Sequence, residues 1–205
     1  TYIFPNGAEF HYFCRVMRLK PPKIVRRLMP DLIWEIDDED GVFLTFDDGP
    51  TPGVTEWILS TLDKYDAKAT FFVLGKNVEM YPDLYKRILD AGHKVGNHTY
   101  SHQKGWGMSL ERYTEDVDFA NDLIHSELFR PPYARITPAQ ARFLGQRYKL
   151  VMWDIISRDY NRRLSPRTCL RNVTRIKCNP FLLNSLFDYR LCYFTLCKEI
   201  SKLKY

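Results

Sequence analysis

Val42-Phe43-Leu44-Thr45-Phe46-Asp47-Asp48-Gly49-Pro50 is the stretch on which the reading of this chain turns. Its apolar and β-forming start predicts a short buried strand, and two carboxylates stand where that strand should end. Gly49-Pro50 then turns the chain away into an amphipathic helical pattern over about 54–65. A strand, a turn and a helix form the unit of parallel α/β proteins, whose active sites gather at the C-terminal ends of the strands. Adjacent carboxylates there are costly unless a cation uses them. The plainer alternative is a pair of helix-capping aspartates in a βα loop.

Outward from this stretch the same alternation repeats. Residues 68–74 are rich in β-formers and precede a helical pattern from Pro82 to Ala91, with Gly92 as its stop. Lys94 to Gly96 begin a third strand, and Ser109-Leu110-Glu111-Arg112 open a long helix towards Glu127. Leu128-Phe129 lead into Arg130. Thr137-Pro138 is an N-cap followed by proline at the first helical position, starting a helix to about Arg147. Lys149 to Trp153 is a further strand, and Ser165-Pro166 starts a further helix by the same device. Repeated βα units mean a parallel sheet covered by helices, either a barrel or a doubly wound sheet. No GxGxxG or GxxxxGK[ST] loop is present, which weakens the doubly wound nucleotide binders.

With 205 residues, 45% of them hydrophobic, the chain is long enough for one α/β domain with its own core. It contains no apolar run long enough to span a membrane, and residues 1–14 lack the pattern of a signal peptide. The chain starts with Thr1, and Met17 is its first methionine; residues 1–16 are therefore expected to be non-native upstream sequence, within an N-terminal extension of residues 1–40. Net charge is +5 but unevenly spread, with 16 Lys/Arg against 4 Asp/Glu from Arg130 onward and 8 against 14 in residues 41–129. A basic half raises nucleic acid as a partner, but no zinc-finger, RNA-binding or helix-turn-helix pattern accompanies it, and arginines on outer helix faces are the simpler account. Cys14, Cys169, Cys178, Cys192 and Cys197 are odd in number and lack CxxC spacing, so they read as ordinary thiols.

The second chemical signal is Asn97-His98-Thr99-Tyr100-Ser101-His102, after the third strand. Two histidines four apart are expected on one face of a helical turn, where their rings can meet at one ion. HxxxH alone arises often by chance. A carboxylate, Asp48, at the same end of a neighbouring strand strengthens it, and two His with one Asp suit Zn²⁺ or a similar divalent ion. His93 reads as structural, His125 lies on a helix, and His11 falls in the extension. Arg130-Pro131-Pro132-Tyr133 predicts a rigid extended loop that either walls a groove or simply carries a surface arginine. Trp153-Asp154 and Arg158-Asp159-Tyr160 follow a later strand, where an aspartate either orients a pocket side chain or belongs to an ordinary polar loop.

In this order, TFDDGP (45–50), NHTYSH (97–102), RPPY (130–133), WD (153–154) and RDY (158–160) resemble the polysaccharide deacetylase family, the NodB-homology or carbohydrate esterase 4 fold. The resemblance covers residues 41–175 and includes Ala69-Thr70-Phe71-Phe72 and Gly92-His93-Lys94-Val95-Gly96. It implies a distorted (β/α) barrel that removes acetyl groups from chitin- or peptidoglycan-like polymers with the help of Zn²⁺ or another divalent ion such as Co²⁺. It implies Asp47 as general base and Asp48, His98 and His102 as metal ligands. Tyr133 would offer a backbone donor to the oxyanion, Arg130 would order the site, and Asp159 rather than Asp154 would hold the catalytic histidine. Its partner would be an N-acetylated glycan, with neither nucleic acid nor a membrane span, and relatives that act on cell walls are exported or envelope-associated.

Two departures stand out. The family's late Leu-x-His, source of the general acid, has no counterpart beyond Leu182-Leu183-Asn184, and no histidine follows His125. Losing a general acid typically costs about 10²–10⁴-fold. From about Ile176 the chain departs from the family, so residues 176–205 read as an atypical tail in place of the last barrel strand and helix, leaving the barrel incomplete. A frameshift or truncation would produce such a tail, and an inactive glycan-binding relative is the alternative to an enzyme. The smaller departure is Ala134, where glycine is expected.

Overall fold

Strand β2 (Val42–Gly49) lies inside one parallel sheet, between β3 (Ala69–Val73) and β8 (Phe181–Leu186). The computed structural model describes residues 23–35, 42–174 and 181–186. The other strands are β1 (Leu32–Ile33), β4 (Lys94–Asn97), β5 (Leu128–Phe129), β6 (Lys149–Val151) and β7 (Ile155–Ile156). Their spatial order is β1-β6-β5-β4-β3-β2-β8-β7. From β2 to β6 spatial order follows chain order, as in a barrel wound from βα units, and β8 and β7 continue on the other side of β2. Where a full barrel would join β6 to β7, β1 instead lines the free edge of β6: Leu32 pairs with Leu150, and the Met152 N–H donates to Ile33 O at 2.8 Å. The distorted, open barrel is the architecture the sequence implied.

The tail differs from expectation. Residues 181–186 form β8, which pairs with both β2 and β7, so they supply a strand where none was expected. Phe181-Leu182-Leu183 is an apolar run of the kind a strand between two neighbours requires. The register sets Asn184 level with Thr45 on one side and Ile156 on the other. Cys14, Cys178, Cys192, Cys197, His11, Met17 and the rest of the tail lie outside the described residues.

The helices are α1 (Lys23–Leu28), α2 (Val54–Lys64), α3 (Gly75–Met80), α4 (Pro82–Asp90), α5 (Leu110–Ile124), α6 (Pro138–Leu144) and α7 (Pro166–Thr174). Their starts follow from their caps. Ser109 Oγ accepts from Arg112 N at 3.3 Å, and Ser165 Oγ from Thr168 N at 3.3 Å. Thr137 and Gln140 form a reciprocal capping box at 3.2 and 2.9 Å. Each such cap stabilises its helix by about 1 kcal/mol. Tyr113, Val117, Ala120 and Ile124 line the buried face of α5 at helical spacing, and Leu84 and Ile88 do so in α4. These faces press on the sheet, where Phe71, Phe72, Val73 and Phe129 are fully buried. Burying a side chain of this size contributes roughly 1.5–3 kcal/mol. Cys169 is a buried residue of α7. Among the described residues no helix is long and apolar enough to cross a membrane.

Candidate metal centre

A regular strand points successive side chains to opposite faces, which would separate Asp47 from Asp48. Here the pairing of β2 with β3 slips between Asp47 and Gly49, and Asp48 has φ 68°. Such a bulge re-aims a side chain at the end of a strand. The left-handed backbone costs an L-residue about 1–2 kcal/mol, and neighbours hold it in place. Asn77 Nδ2 donates to Asp48 O at 2.8 Å, and Leu74 N to Gly49 O at 2.9 Å.

His98 and His102 lie in the irregular segment after β4, not on the helical turn expected from their spacing. Thr99 and His102 have φ 67° and 60°, which no right-handed turn contains. The physical reason is that side chains take the N–H groups a helix would use. Asn97 Oδ1 accepts from Thr99 N at 2.8 Å. Asp116, on α5, accepts from Tyr100 N at 3.1 Å, Ser101 N at 3.2 Å and Ser101 Oγ at 2.6 Å. The loop is thus fastened from both sides, with its two imidazole rings 5.3 Å apart.

Asp48 Oδ1 lies 3.4 Å from His98 Nε2 and 3.1 Å from His102 Nε2, and the three ligand atoms fall within 4.8 Å of one another. Ligand bonds of about 2.1 Å at tetrahedral angles would separate donors by about 3.4 Å. Asp48 Oδ1 is buried and accepts no hydrogen bond. His98 Nδ1 sits 2.7 Å from the Arg130 carbonyl, which can only accept, so Nδ1 carries the proton and the Nε2 lone pair faces the carboxylate. Burial lowers the His98 pKa below its ordinary 6.5 despite Asp47 and Asp48, so the ring is neutral near pH 7. Burial alone would raise the Asp48 pKa, but the contact with His102 and the charges of His98, His102 and Lys76 outweigh it and keep the group ionised. A lone pair facing a buried carboxylate oxygen is an arrangement a divalent cation satisfies. Asp48, His98 and His102 fit a metal ion.

Beside them Arg130 is fully buried, as is Asp47 to within 2%. Arg130 Nη1 donates to Asp47 Oδ1 at 2.7 Å and Thr45 Oγ1 at 2.8 Å, while Nε and Nη2 donate to the Val151 and Met152 carbonyls at 3.1 and 2.6 Å. Its guanidinium lies 4.0 Å above the Phe72 ring. Room for that ring depends on Gly96, paired opposite it, where an added Cβ would come within 2.4 Å of Phe72. Arg130 is therefore no surface residue: it fixes Asp47 through a charged bond and spends its other donors on the sheet.

Tyr133 stacks on His102 with centroids 4.6 Å apart, and its hydroxyl lies 3.2 Å from His102 Nδ1. Tyr133 and Ala134 both have left-handed backbones, φ 58° and 55°, which explains why glycine is expected at 134. Asp159 is buried and accepts from Ser157 Oγ at 2.8 Å. Asp154 pairs with Arg26 of α1, which also holds Glu35. His93 is structural as expected, accepting from Ala69 N at 3.3 Å. His125 is the left-handed C-cap of α5. Asn77 and Asp116 carried no local sequence signal; their roles exist only through contacts 29 and 15–16 residues away in the chain.

A carboxylate and two histidines grouped at the C-terminal end of a curled parallel sheet, next to a buried Arg–Asp pair, define an α/β protein with a candidate divalent-cation site. The polysaccharide deacetylase family model matches residues 35–149, and the chain belongs to that family. It is 37% identical over 145 residues to a peptidoglycan-N-acetylglucosamine deacetylase of Bacillus cereus, covering 64% of this chain and 50% of that protein. It is 35% identical over 137 residues to chitin deacetylase 1 of Saccharomyces cerevisiae, covering 62% of this chain and 44% of that protein. The chain thus spans about half the length of these curated relatives. The solved structure of peptidoglycan deacetylase PdaC from Bacillus subtilis is similar with a TM-score of 0.74 at 29% identity, covering 82% of this chain and 86% of that one.

Proposed function

We propose that this protein is a metal-dependent hydrolase that removes acetyl groups from an N-acetylated polysaccharide of the peptidoglycan or chitin type, acting at the cell envelope. The observation that carries the reading is the buried Asp48 Oδ1, without a hydrogen bond, facing the Nε2 atoms of His98 and His102. Those three side chains would hold Zn²⁺ or a similar ion such as Co²⁺, which supplies Lewis acidity towards a water and the acetyl carbonyl. Asp47 acts as the base that takes the proton of the attacking water, and Arg130 holds its carboxylate in place. The Tyr133 N–H is assigned to the developing oxyanion, where preorganised donors act most strongly. The exposed Tyr133 ring also packs against His102. Asp159 is assigned, as the family pattern implies, to holding the catalytic histidine, and in this chain its carboxylate accepts from Ser157 Oγ.

The leaving sugar amine needs a proton, and the chain lacks the late histidine that the family uses for this. Asn184 occupies the matching Leu-x-x place on β8, level with Thr45 and two residues before Asp47 on the neighbouring strand. Slow catalysis follows, not absence of catalysis, because the remaining groups still act. Acetate release from peptidoglycan fragments and N-acetylchitooligosaccharides, with and without chelator, tests the reading. Chelator-sensitive release is expected; release that ignores chelator, or none after loading with Zn²⁺ or Co²⁺, overturns it. Asn184→His should raise kcat by at least about 10²-fold, and an unchanged kcat would remove Asn184 as the site of the lost acid.

A further inference from the structure

The segment between β7 and α7 breaks local rules in a way that the deacetylase site does not use. Arg158, Arg162, Arg163, Arg167 and Arg171 fall within residues 158–171, where Asp159 is the sole acid and is buried. Arg162, Arg163, Arg167 and Arg171 are exposed, and Tyr160, just before them, is 47% exposed. Arg158 has φ 64°, a conformation that costs a non-glycine residue and that collects at functional sites. Arg167 sits in the first turn of α7, which holds no acid. A cation there opposes the helix dipole, so its place is not explained by helix stability. Such violations of local preference mark positions kept for another purpose.

Their position gives the purpose. β7, β8 and β2 are parallel neighbours, so the loop leaving β7 rises at the same end of the sheet as Asp47 and Asp48. Two inter-strand steps of ~4.8 Å separate β7 from β2 by about 10 Å. The loop is also rigid. Asn161 N donates to Arg158 O at 3.1 Å, Leu164 N to Asn161 O at 2.8 Å, and Arg163 N to Asn161 Oδ1 at 3.1 Å. Asn172 Nδ2 ties α7 back to Ser157 O at 2.9 Å. Guanidinium groups carried on an ordered backbone suit carboxylates, which they bind through paired N–H donors, and the exposed Tyr160 ring suits the apolar face of a sugar.

We propose that this arginine rim selects a carboxylate-bearing N-acetylated glycan, such as one with lactyl ether groups along its chain, over a neutral one of the same length. The inference rests on the deacetylase reading for its substrate class. The acid groups of the polymer lie along the rim while an acetyl group reaches the Asp48–His98–His102 cluster. The basic bias from Arg130 onward therefore belongs at this rim to glycan recognition and not to nucleic acid.

Binding tests it without requiring turnover. Calorimetry on the full chain at low ionic strength compares an N-acetylglucosamine–N-acetylmuramic acid tetrasaccharide with N-acetylchitotetraose. Several exposed charge pairs together should give the acidic sugar roughly tenfold tighter binding, a preference that added salt erases. In Arg163→Gln/Arg167→Gln/Arg171→Gln the preference should shrink to within about twofold while Tm changes little, since relief at Arg167 in the first turn offsets the loss of Arg171 from the last. Equal affinity of the wild type for both sugars, or a preference kept in the triple variant, overturns the proposal. So does tighter binding of a single-stranded RNA oligomer than of the acidic sugar. Failure of acetate release with the sugar preference intact would sink the deacetylase reading and leave the rim standing.

Discussion

Strand β4 begins and ends next to a buried histidine, and the two have opposite fates. At its start, His93 uses its Nδ1 lone pair on the Ala69 N–H and packs against Phe71 at 5.3 Å. At its end, His98 gives its Nδ1 proton to the Arg130 carbonyl and is left with an Nε2 lone pair facing Asp48. Both rings are buried and both have pKa values lowered by burial. Burial and titration therefore do not tell a structural histidine from a ligand. What separates them is whether the chain itself satisfies the ring's lone pair.

The comparison breaks if the two histidines can be exchanged in effect. His98→Asn is expected to weaken Zn²⁺ binding by more than about 100-fold, since losing even an outer partner of a ligand costs 10–100-fold. His93→Ala should leave metal affinity within a few-fold and instead lower stability by roughly 1–3 kcal/mol, the cost of a buried N–H left without its acceptor. Calorimetry and thermal unfolding of both variants check this. Loss of metal in His93→Ala would erase the distinction.

Acid should reveal what the two rings share. A histidine whose folded pKa lies below its ordinary 6.5 binds fewer protons in the folded state than in the unfolded one. Its neutral form contributes stability that is fully present above that value and declines as pH falls towards the folded pKa. Asp48, also lowered, adds a second decline only as pH falls below its ordinary 3.8. Metal-free protein is thus expected to have a flat Tm well above pH 6.5 and a falling one as pH drops below the ordinary 6.5 of histidine. A Tm that rises over that interval would mean that the rings are held protonated.

The smallest effect concerns the loop beside the cluster. Ala134 has φ 55° with nothing in its side chain to favour it. Ala134→Gly should stabilise the protein by roughly 1 kcal/mol, visible in urea unfolding, without changing metal affinity. A loss of stability would show that the alanine makes contacts worth more than its strain.

How far the sequence could be read divides along the same line between local and distant causes. Ser109, Thr137 and Ser165 announced their helices because a cap acts within three residues, and the carboxylate pair at the end of β2 announced the site because strand and turn are both local. β1 and β7, two residues each, exist through pairing with β6 and β8, and no window of sequence contains that information. α3 begins after Leu74, which offers no side-chain cap, so nothing marked its start. The tail strand β8 went unread because its surroundings depart from the family. At the site, Asp48, His98 and His102 were identifiable from type and spacing, whereas the non-helical loop that carries the histidines follows from Asp116 on a helix that lies elsewhere in the chain. Arg130 was legible as a site residue, but its complete burial was not.

The account rests on one cation shared by three side chains at the ends of β2 and β4, two strands separated by β3. Crystals grown with Zn²⁺ and measured on either side of the zinc absorption edge test it most directly. A single anomalous peak within about 2.2 Å of Asp48 Oδ1, His98 Nε2 and His102 Nε2 is the expected result. Zinc bound elsewhere on the chain while that cluster stays empty would contradict it.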